Sequence, residues 1–362
     1  MEHADTTVDA VLERFGQARI LVLGDLWLEH VLRAETSHDA DAAKSRSGAA
    51  PSAAADGTLQ LRASQRTTRA GGAGAVACSV AALGARTWVA GILGPDPAAG
   101  ELLRALSAAG VDGFGIVSNP AHHTAETLVL TVAAQVALPW SSIAIEICAP
   151  PPLSGSTASE MLDHIEPLLA QVDAIAIVAH GSPIPAETLD KLRRLTLGRG
   201  KLVVGAIIGV SLPSLAELVA ALPSCDIAVL GPPAADQALN STDAPHRLLP
   251  EMSAKALVVI SREWGVALHT DAAKPRSGAA PEFGRGSRSS PERREASPEL
   301  IIEPKRLGAG AWAPLVAALV VAAAVGAEAP VAARIGAAAA LSAAQSGGGL
   351  TVDELRRALA DI

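Results

Sequence analysis

The sequence predicts an α/β fold: a mostly parallel central sheet covered by helices on both faces. Three observations predict it. Short, wholly apolar runs recur along the chain, helical patterns lie between several of them, and the composition suits close helix–sheet packing. Hydrophobic residues make up 49% of the 362 residues, with five Trp, three Phe and no Tyr. Ala, Val and Leu must therefore fill the core, and the mean hydropathy of +0.32 says that a large core is buried.

Each element follows from local pattern. Residues 19–25 (RILVLGD) read as a buried parallel strand whose carboxyl end reaches a site, because the apolar run stops at Gly-Asp. Similar runs lie at 86–93, 173–179, 201–208, 226–230 and 256–260. Helical patterns fall at 75–84, 97–109, 157–171, 185–196 and 213–222. Strands alternating with helices imply right-handed βαβ units. Segments 57–65 and 125–134 alternate instead and read as antiparallel or edge strands, the start of a small β flap formed from about 57–65 and 125–146. Residues 311–326 (AWAPLVAALVVAAAVG) are too short and Ala-rich for a bilayer, which needs about 20 apolar residues. A buried core helix is expected there, and no membrane association.

Charge and cysteine usage narrow the class. A net charge of −8 and a pI of about 5.6, with no basic run, give no footprint for nucleic acid. The acidic, amphipathic start MEHADTTVDAVLERFG is unlike a signal peptide, so a cytoplasmic protein is expected. Cys78, Cys148 and Cys225 are widely spaced and read as buried, reduced thiols. His122-His123 has no Cys or acid at ligand spacing, so no metal is assigned to it. Asp163 and Glu166 flank His164 on a solvated helix face and carry no chemistry. DAAKSRSGAAP (41–51) and DAAKPRSGAAP (271–281) differ only at Ser45 and Pro275. They read as parts of disordered, low-complexity insertions at 36–56 and 271–299, because lengthening a surface loop costs little. The whole chain, 1–362, insertions included, is expected to be one domain.

Two glycine turns open helices. Gly71-Gly72-Ala73-Gly74 leads into AVACSVAALGA, and RLGAGAWAP (306–314) leads into the apolar helix. Free N–H groups at a helix start carry partial positive charge, so either turn would suit an anion or serve as a plain helix entry. The first is not a dinucleotide fingerprint: its spacing is not GxGxxG, and no acid ends a strand about 20 residues on.

The order of these motifs resembles the PfkB/ribokinase family of sugar kinases, and within it the heptose-phosphate kinase branch of ADP-heptose synthesis. ILVLGDLWLEHVL (20–32) is similar to the opening strand and GD-x-M-L-D-x-Y signature. Residues 69–112 resemble the first family signature, 255–270 the strand and turn beside the nucleotide, and 304–326 the second signature, D-x-T-G-A-G-D-x-F. The resemblance covers residues 18–360 apart from the insertions. It implies a ribokinase-like three-layer sandwich and, as ancestral activity, ATP-dependent phosphorylation of a sugar or sugar phosphate with Mg. No tightly bound cofactor is implied. By the same resemblance Asp25, Glu29, Gly71 and Gly72 face substrate, Gly265 faces nucleotide, Asp236 holds metal, and Gly308, Ala309 and Gly310 form the anion hole. Flap-to-flap pairing, with a second copy or an active paralogue, is also implied.

The match fails where chemistry belongs. The base that closes G-A-G-D is Ala311, followed by Trp312; the opening Asp and Thr of that signature are Lys305 and Leu307. The sugar-contacting Asn is Ala75, the N-x-x-E motif is Pro233 through Asp236, and the first nucleotide-turn glycine is Arg262. In the opening signature Asp25 is kept, while the second Asp is Glu29 and the Tyr is Val31. Losing a general base slows a reaction by ~10²–10⁴. The expected protein is thus a diverged kinase with impaired catalysis. The alternatives are a working enzyme whose base has moved to His180 or Asp25, and a non-catalytic subunit pairing through its flap.

Overall fold

The computed structural model describes residues 8–36, 61–132, 142–149, 155–180, 186–209, 225–232, 234–235, 248–250, 252–261, 265–270, 299–302, 311–346 and 350–362. The helix expected at 213–222, both repeated segments, and residues 57–60 and 133–141 of the expected flap lie outside them.

The chain runs β1 (Arg19–Gly24), β2 (Leu26–Thr36), β3 (Leu61–Gly72), α1 (Ala73–Ala82), β4 (Arg86–Leu93), α2 (Pro97–Ala108), β5 (Asp112–Ser118), β6 (Ala125–Val132) and β7 (Ser142–Cys148). It continues through α3 (Gly155–Ile165), β8 (Ala174–His180), α4 (Ala186–Leu197), β9 (Leu202–Ile208), β10 (Ile227–Leu230), β11 (Ala256–Ser261), β12 (Gly265–Thr270) and β13 (Glu299–Ile302). Helices α5 (Trp312–Ala324), α6 (Ala329–Ser346) and α7 (Val352–Leu359) follow. The helix expected at 157–171 divides into α3 and a 3₁₀ segment, Glu166–Ala170, where Pro167 removes a backbone donor.

A nine-stranded sheet has the order β13-β12-β11-β10-β9-β8-β1-β4-β5. Neighbours from β5 to β11 are parallel, and β12 and β13 add an antiparallel edge. The apolar runs exist because both faces are covered. In β1, Ile20 and Val22 point into the core beneath α1, α2, α5 and α6, while Leu21 and Leu23 point into the core beneath α3 and α4. In β8, Ala174, Ala176 and Val178 take the first side, and Ile175, Ile177 and Ala179 the second.

Small residues set the layer spacing. Helix α5 is buried along nearly its whole length, as the sequence leads one to expect of a core helix. Its neighbour α6 approaches closely at Gly336, where a Cβ would sit 2.9 Å from the Leu315 carbonyl oxygen. Among the described residues no helix is long and apolar enough to cross a membrane. Of the cysteines only Cys225 is buried; Cys78 and Cys148 are half-buried, and all three are free. Burial pushes the Cys225 thiol up to about 12 and the Cys78 thiol up to about 11, so both are protonated at neutral pH.

A second sheet, β3-β2-β6-β7, stands beside the main one. Strands β6 and β7 lie in the stretch expected to form the flap. The segment read from 57–65 is placed at 61–72, and 26–36 joins as a strand that the sequence reading had left inside the opening signature. Its alternation is interrupted by buried residues at the root, which hid the strand: Leu26, Trp27 and Leu28 are all buried.

At the amino edge of the main sheet, Arg19 grips Asp173. Its Nη2 donates to Oδ1 at 2.7 Å and its backbone N–H donates to Oδ2 at 2.9 Å, pinning the start of β1 to the start of β8. The Arg19 hydrogen bond holds the Asp173 carboxyl below the usual range, against burial acting the other way. At the carboxyl edge, Gly24 has φ +154°, and a Cβ there would fall inside the Val178 carbonyl, 2.8 Å from its carbon.

Gly24→Ala must push two central strands apart, so a loss of about 3 kcal/mol or more is expected in urea unfolding. Gly100→Ala is the matched control. Gly100 lies in α2 with nothing near its missing Cβ, so the change should stabilise by about 0.5–1 kcal/mol.

Candidate functional site

The strand order reverses at β1, with β4 on one side and β8 on the other. In open α/β sheets the crevice beyond the carboxyl ends at such a switch point is where ligands bind. Asp25 follows β1 at this point and is buried, with 5% of its surface exposed. Its backbone N–H donates to Val178 O at 3.3 Å, and its carbonyl accepts from Ala73 N–H, the first residue of α1, at 2.8 Å. One residue therefore ties β1, β8 and α1 together.

The second sheet grows from the same point. β2 starts at Leu26 and pairs with Gly72 at the end of β3, so the chain leaves the main sheet after Asp25 and returns beside it into α1. The register places Trp27 opposite Gly71 and Glu29 opposite Arg69, all on one face. Gly72 has φ +60°, a left-handed conformation that favours glycine, and a Cβ there would strike the Asp25 carbonyl and the Trp27 ring. The space beside Gly71 is filled likewise by the Trp27 indole. Glu29 Oε1 accepts from Arg69 Nε at 2.6 Å and is also paired with its Nη2. The opposite face carries Leu28, Leu32, Leu128 and Leu130 together with a His30 Nε2–Glu126 Oε2 contact of 3.0 Å.

The other residues singled out from sequence are spread along this edge. His180 closes β8, two positions beyond Val178, which pairs with Gly24. Gly265 begins β12 with φ +81° and pairs with Ser261 at the end of β11. Strand β13 runs parallel to β11, so it ends at the same edge, and nine residues separate its end from the start of α5. Ala311 stands at that helix start, 6% exposed, with no side-chain cap. Gly308, Ala309, Gly310 and Asp236 lie outside the described residues. Among those described, no three His, Cys, Asp or Glu residues gather to hold a metal ion.

Two residues escaped the sequence reading. Trp27 occupies the Met position of the opening signature, and that change of residue was the only local signal, since its place opposite Gly71 depends on strand register. Arg69 immediately precedes the glycine turn; its pairing with Glu29 depends on strand register across 40 residues, which no local pattern reveals.

Loops at the rim are fixed by Asp96. Its Oδ1 accepts from Ala99 N–H at 2.9 Å, capping α2, and its Oδ2 accepts from Thr124 N–H at 2.7 Å, just before β6. Burial alone would raise its pKa; the backbone bonds from Thr124 and Ala99, with the Thr124 hydroxyl and His123, together hold the carboxyl below its ordinary range.

A depressed carboxyl stabilises fully above the unfolded value, about 3.9, and loses that contribution as pH falls through the lower folded value. Asp96→Ala is therefore expected to cost about 1–2 kcal/mol at pH 7. The gap from wild type should narrow in urea titrations at pH 3.

A doubly covered parallel sheet, a switch-point acid and a second sheet rooted beside it define the ribokinase-like class of α/β protein. Solved structures agree on the fold. A putative ribokinase from Agrobacterium tumefaciens superposes with a TM-score of 0.64 at 17% identity, covering 95% of this chain and 98% of its own. Phosphofructokinase-2 from Escherichia coli in complex with fructose-6-phosphate gives 0.62 at 16% identity, covering 95% and 99%. The model of the pfkB family carbohydrate kinases matches residues 45–262, more than half of the chain, and the chain belongs to that family. Among curated proteins, the bifunctional protein HldE of Pseudomonas aeruginosa strain LESB58 is 37% identical over 101 residues, 28% of this chain and 19% of that protein. HldE of Trichlorobacter lovleyi is 28% identical over 171 residues, 47% of this chain and 31% of that protein. The matched stretches thus span less than a third of these relatives.

Proposed function

We propose that this chain is a diverged sugar kinase of the pfkB family in which phosphoryl transfer to a sugar or sugar phosphate is impaired. The observation that carries the reading is Ala311. It stands at the start of α5, where the family signature has its base, and a methyl group neither accepts a proton nor orients a hydroxyl. Around the switch point these positions are tied inward: Glu29 to Arg69, and Gly71 and Gly72 against Trp27.

Binding is the function most readily retained. Asp25 and the edge of β8 can still meet sugar hydroxyls, and Gly265 can still meet a nucleotide. ATP with Mg is the cosubstrate implied by family, supplying the phosphoryl group. A ligand that binds only the folded state raises apparent stability, so millimolar Mg-ATP should raise the melting temperature in a thermal-shift titration.

A coupled ADP-release assay over heptose phosphates and common sugars tests the catalytic claim. Wild type should stay far below ~1 s⁻¹, the low end of ordinary turnover, and Ala311→Asp should raise the rate at least tenfold. Wild-type turnover above ~1 s⁻¹ sinks the impaired reading. It would favour a relocated base instead, with His180 the candidate because it ends the strand next to Asp25. His180→Ala or Asp25→Asn should then abolish that activity in a folded protein.

A second reading, a subunit that pairs through its second sheet, is supported by Ile145 and Ile147 on the edge strand β7, 48% and 57% exposed. Pairing with a second copy or an active paralogue would cover them. Sizing should then show an assembly that Ile145→Lys dissociates, and a wild-type monomer that captures no kinase partner overturns it.

A further inference from the structure

We infer that two copies of this chain pair edge to edge through β7, antiparallel and centred on Ile145, joining their second sheets into one. The inference rests on the reading of the second sheet as a pairing element and deepens it by naming the partner and the register.

The second sheet ends in two unlike edge strands, β3 and β7. An open edge offers unpaired backbone N–H and C=O groups, and charged side chains along it keep other strands away. Strand β3 is protected in this way by Arg62, Arg66 and Arg69. Strand β7, SIAIEIC, has Glu146 as its single charge and no proline. Ala144, Ile145, Glu146 and Ile147 are all exposed, so side chains on both faces of this strand lie open at the edge.

The order of residues in β7 selects a second copy as the occupant. With the pair centred on Ile145, that residue faces Ile145 of the second copy, and Glu146 faces Ala144. Centring it on Glu146 would set two carboxylates against each other, and like charges directly opposite are destabilising. Ile147 stands in the bulge where the β6 register shifts and extends the apolar edge. Within the sheet Ile145 is opposite Leu128. An apolar row would therefore cross the junction, from Leu128 and Ile145 of one copy to Ile145 and Leu128 of the other. Four strands from each copy would make one sheet of eight. One strand pair buries little surface, so a weak, concentration-dependent dimer is expected.

Sedimentation velocity from micromolar to millimolar chain would be run on wild type, Ile145→Lys and Phe114→Lys, each checked for folding by circular dichroism. Phe114, 58% exposed on β5 at the edge of the main sheet, is the control for exposed apolar surface. Wild type should dimerise as concentration rises. Ile145→Lys sets two lysines face to face and should weaken the dimer at least tenfold, whereas Phe114→Lys should change it less than twofold. Cross-linking with copper phenanthroline on a Cys148→Ser background reads the register, and it stands as a test even if the lysine variant does not fold. Ile145→Cys should form a disulfide-linked dimer, because directly opposite residues lie within disulfide reach. Glu146→Cys, two positions from its counterpart, should form at least fivefold less. A dimer that Ile145→Lys dissociates, but in which both cysteine variants cross-link equally, overturns the inference and leaves the pairing reading standing. A dimer untouched by Ile145→Lys, or broken by Phe114→Lys instead, overturns both. A chain that stays monomeric to millimolar concentration overturns the inference and leaves pairing to an active paralogue alone.

Discussion

Everything at the carboxyl edge depends on how closely β1 and β8 approach at Gly24. The backbone there leaves no space for a side chain, because the Val178 carbonyl occupies the position a Cβ would take. That approach lets Asp25 N–H donate to Val178 and turns the Asp25 carbonyl toward the first N–H of α1. Three chain directions are settled by two hydrogen bonds: the main sheet reverses its order, the second sheet departs, and α1 returns under it. Orphan donors at a helix start need a partner, and at α1 a strand-end carbonyl provides one.

The same economy of space governs the core. Alanines on the α5 side of β8, and the glycine of α6 against α5, bring the layers close together. On the opposite face of β8, under α3 and α4, the larger Ile175 and Ile177 fill the space. Burial along α5 carries Ala311 to its place at the helix start whether or not that residue does chemistry. Packing of the apolar helix thus fixes the start of α5 independently of any chemistry there.

Charges near the edge are used to hold structure. Asp96 joins the start of α2 to the loop before β6, and Arg69 occupies Glu29, which is only 14% exposed. A half-buried carboxylate needs a cation or donors to remain charged, and here both come from the protein. The space beside Gly71 and Gly72 is likewise filled from within, by the Trp27 ring. These three arrangements share one physical basis: each group is satisfied or covered by a neighbouring segment of the same chain.

Much of the fold was legible in local pattern. Runs such as RILVLG, AIAIVA and LVVGAII read as buried parallel strands because both faces of such a sheet are covered, so apolar residues cannot alternate with polar ones. The presence of Ala at position 311 was equally plain, since it is a matter of residue identity. Strand β2 was not, because its root is buried on both faces and its partner β3 begins after an insertion. The pairs Trp27–Gly71 and Glu29–Arg69 were out of reach for the same reason. By itself the sequence determined the layered architecture, through burial, and the absence of an acid at position 311, through residue identity. Only the tertiary structure decided what fills the site, because register between strands far apart in the chain chooses which side chains face each other.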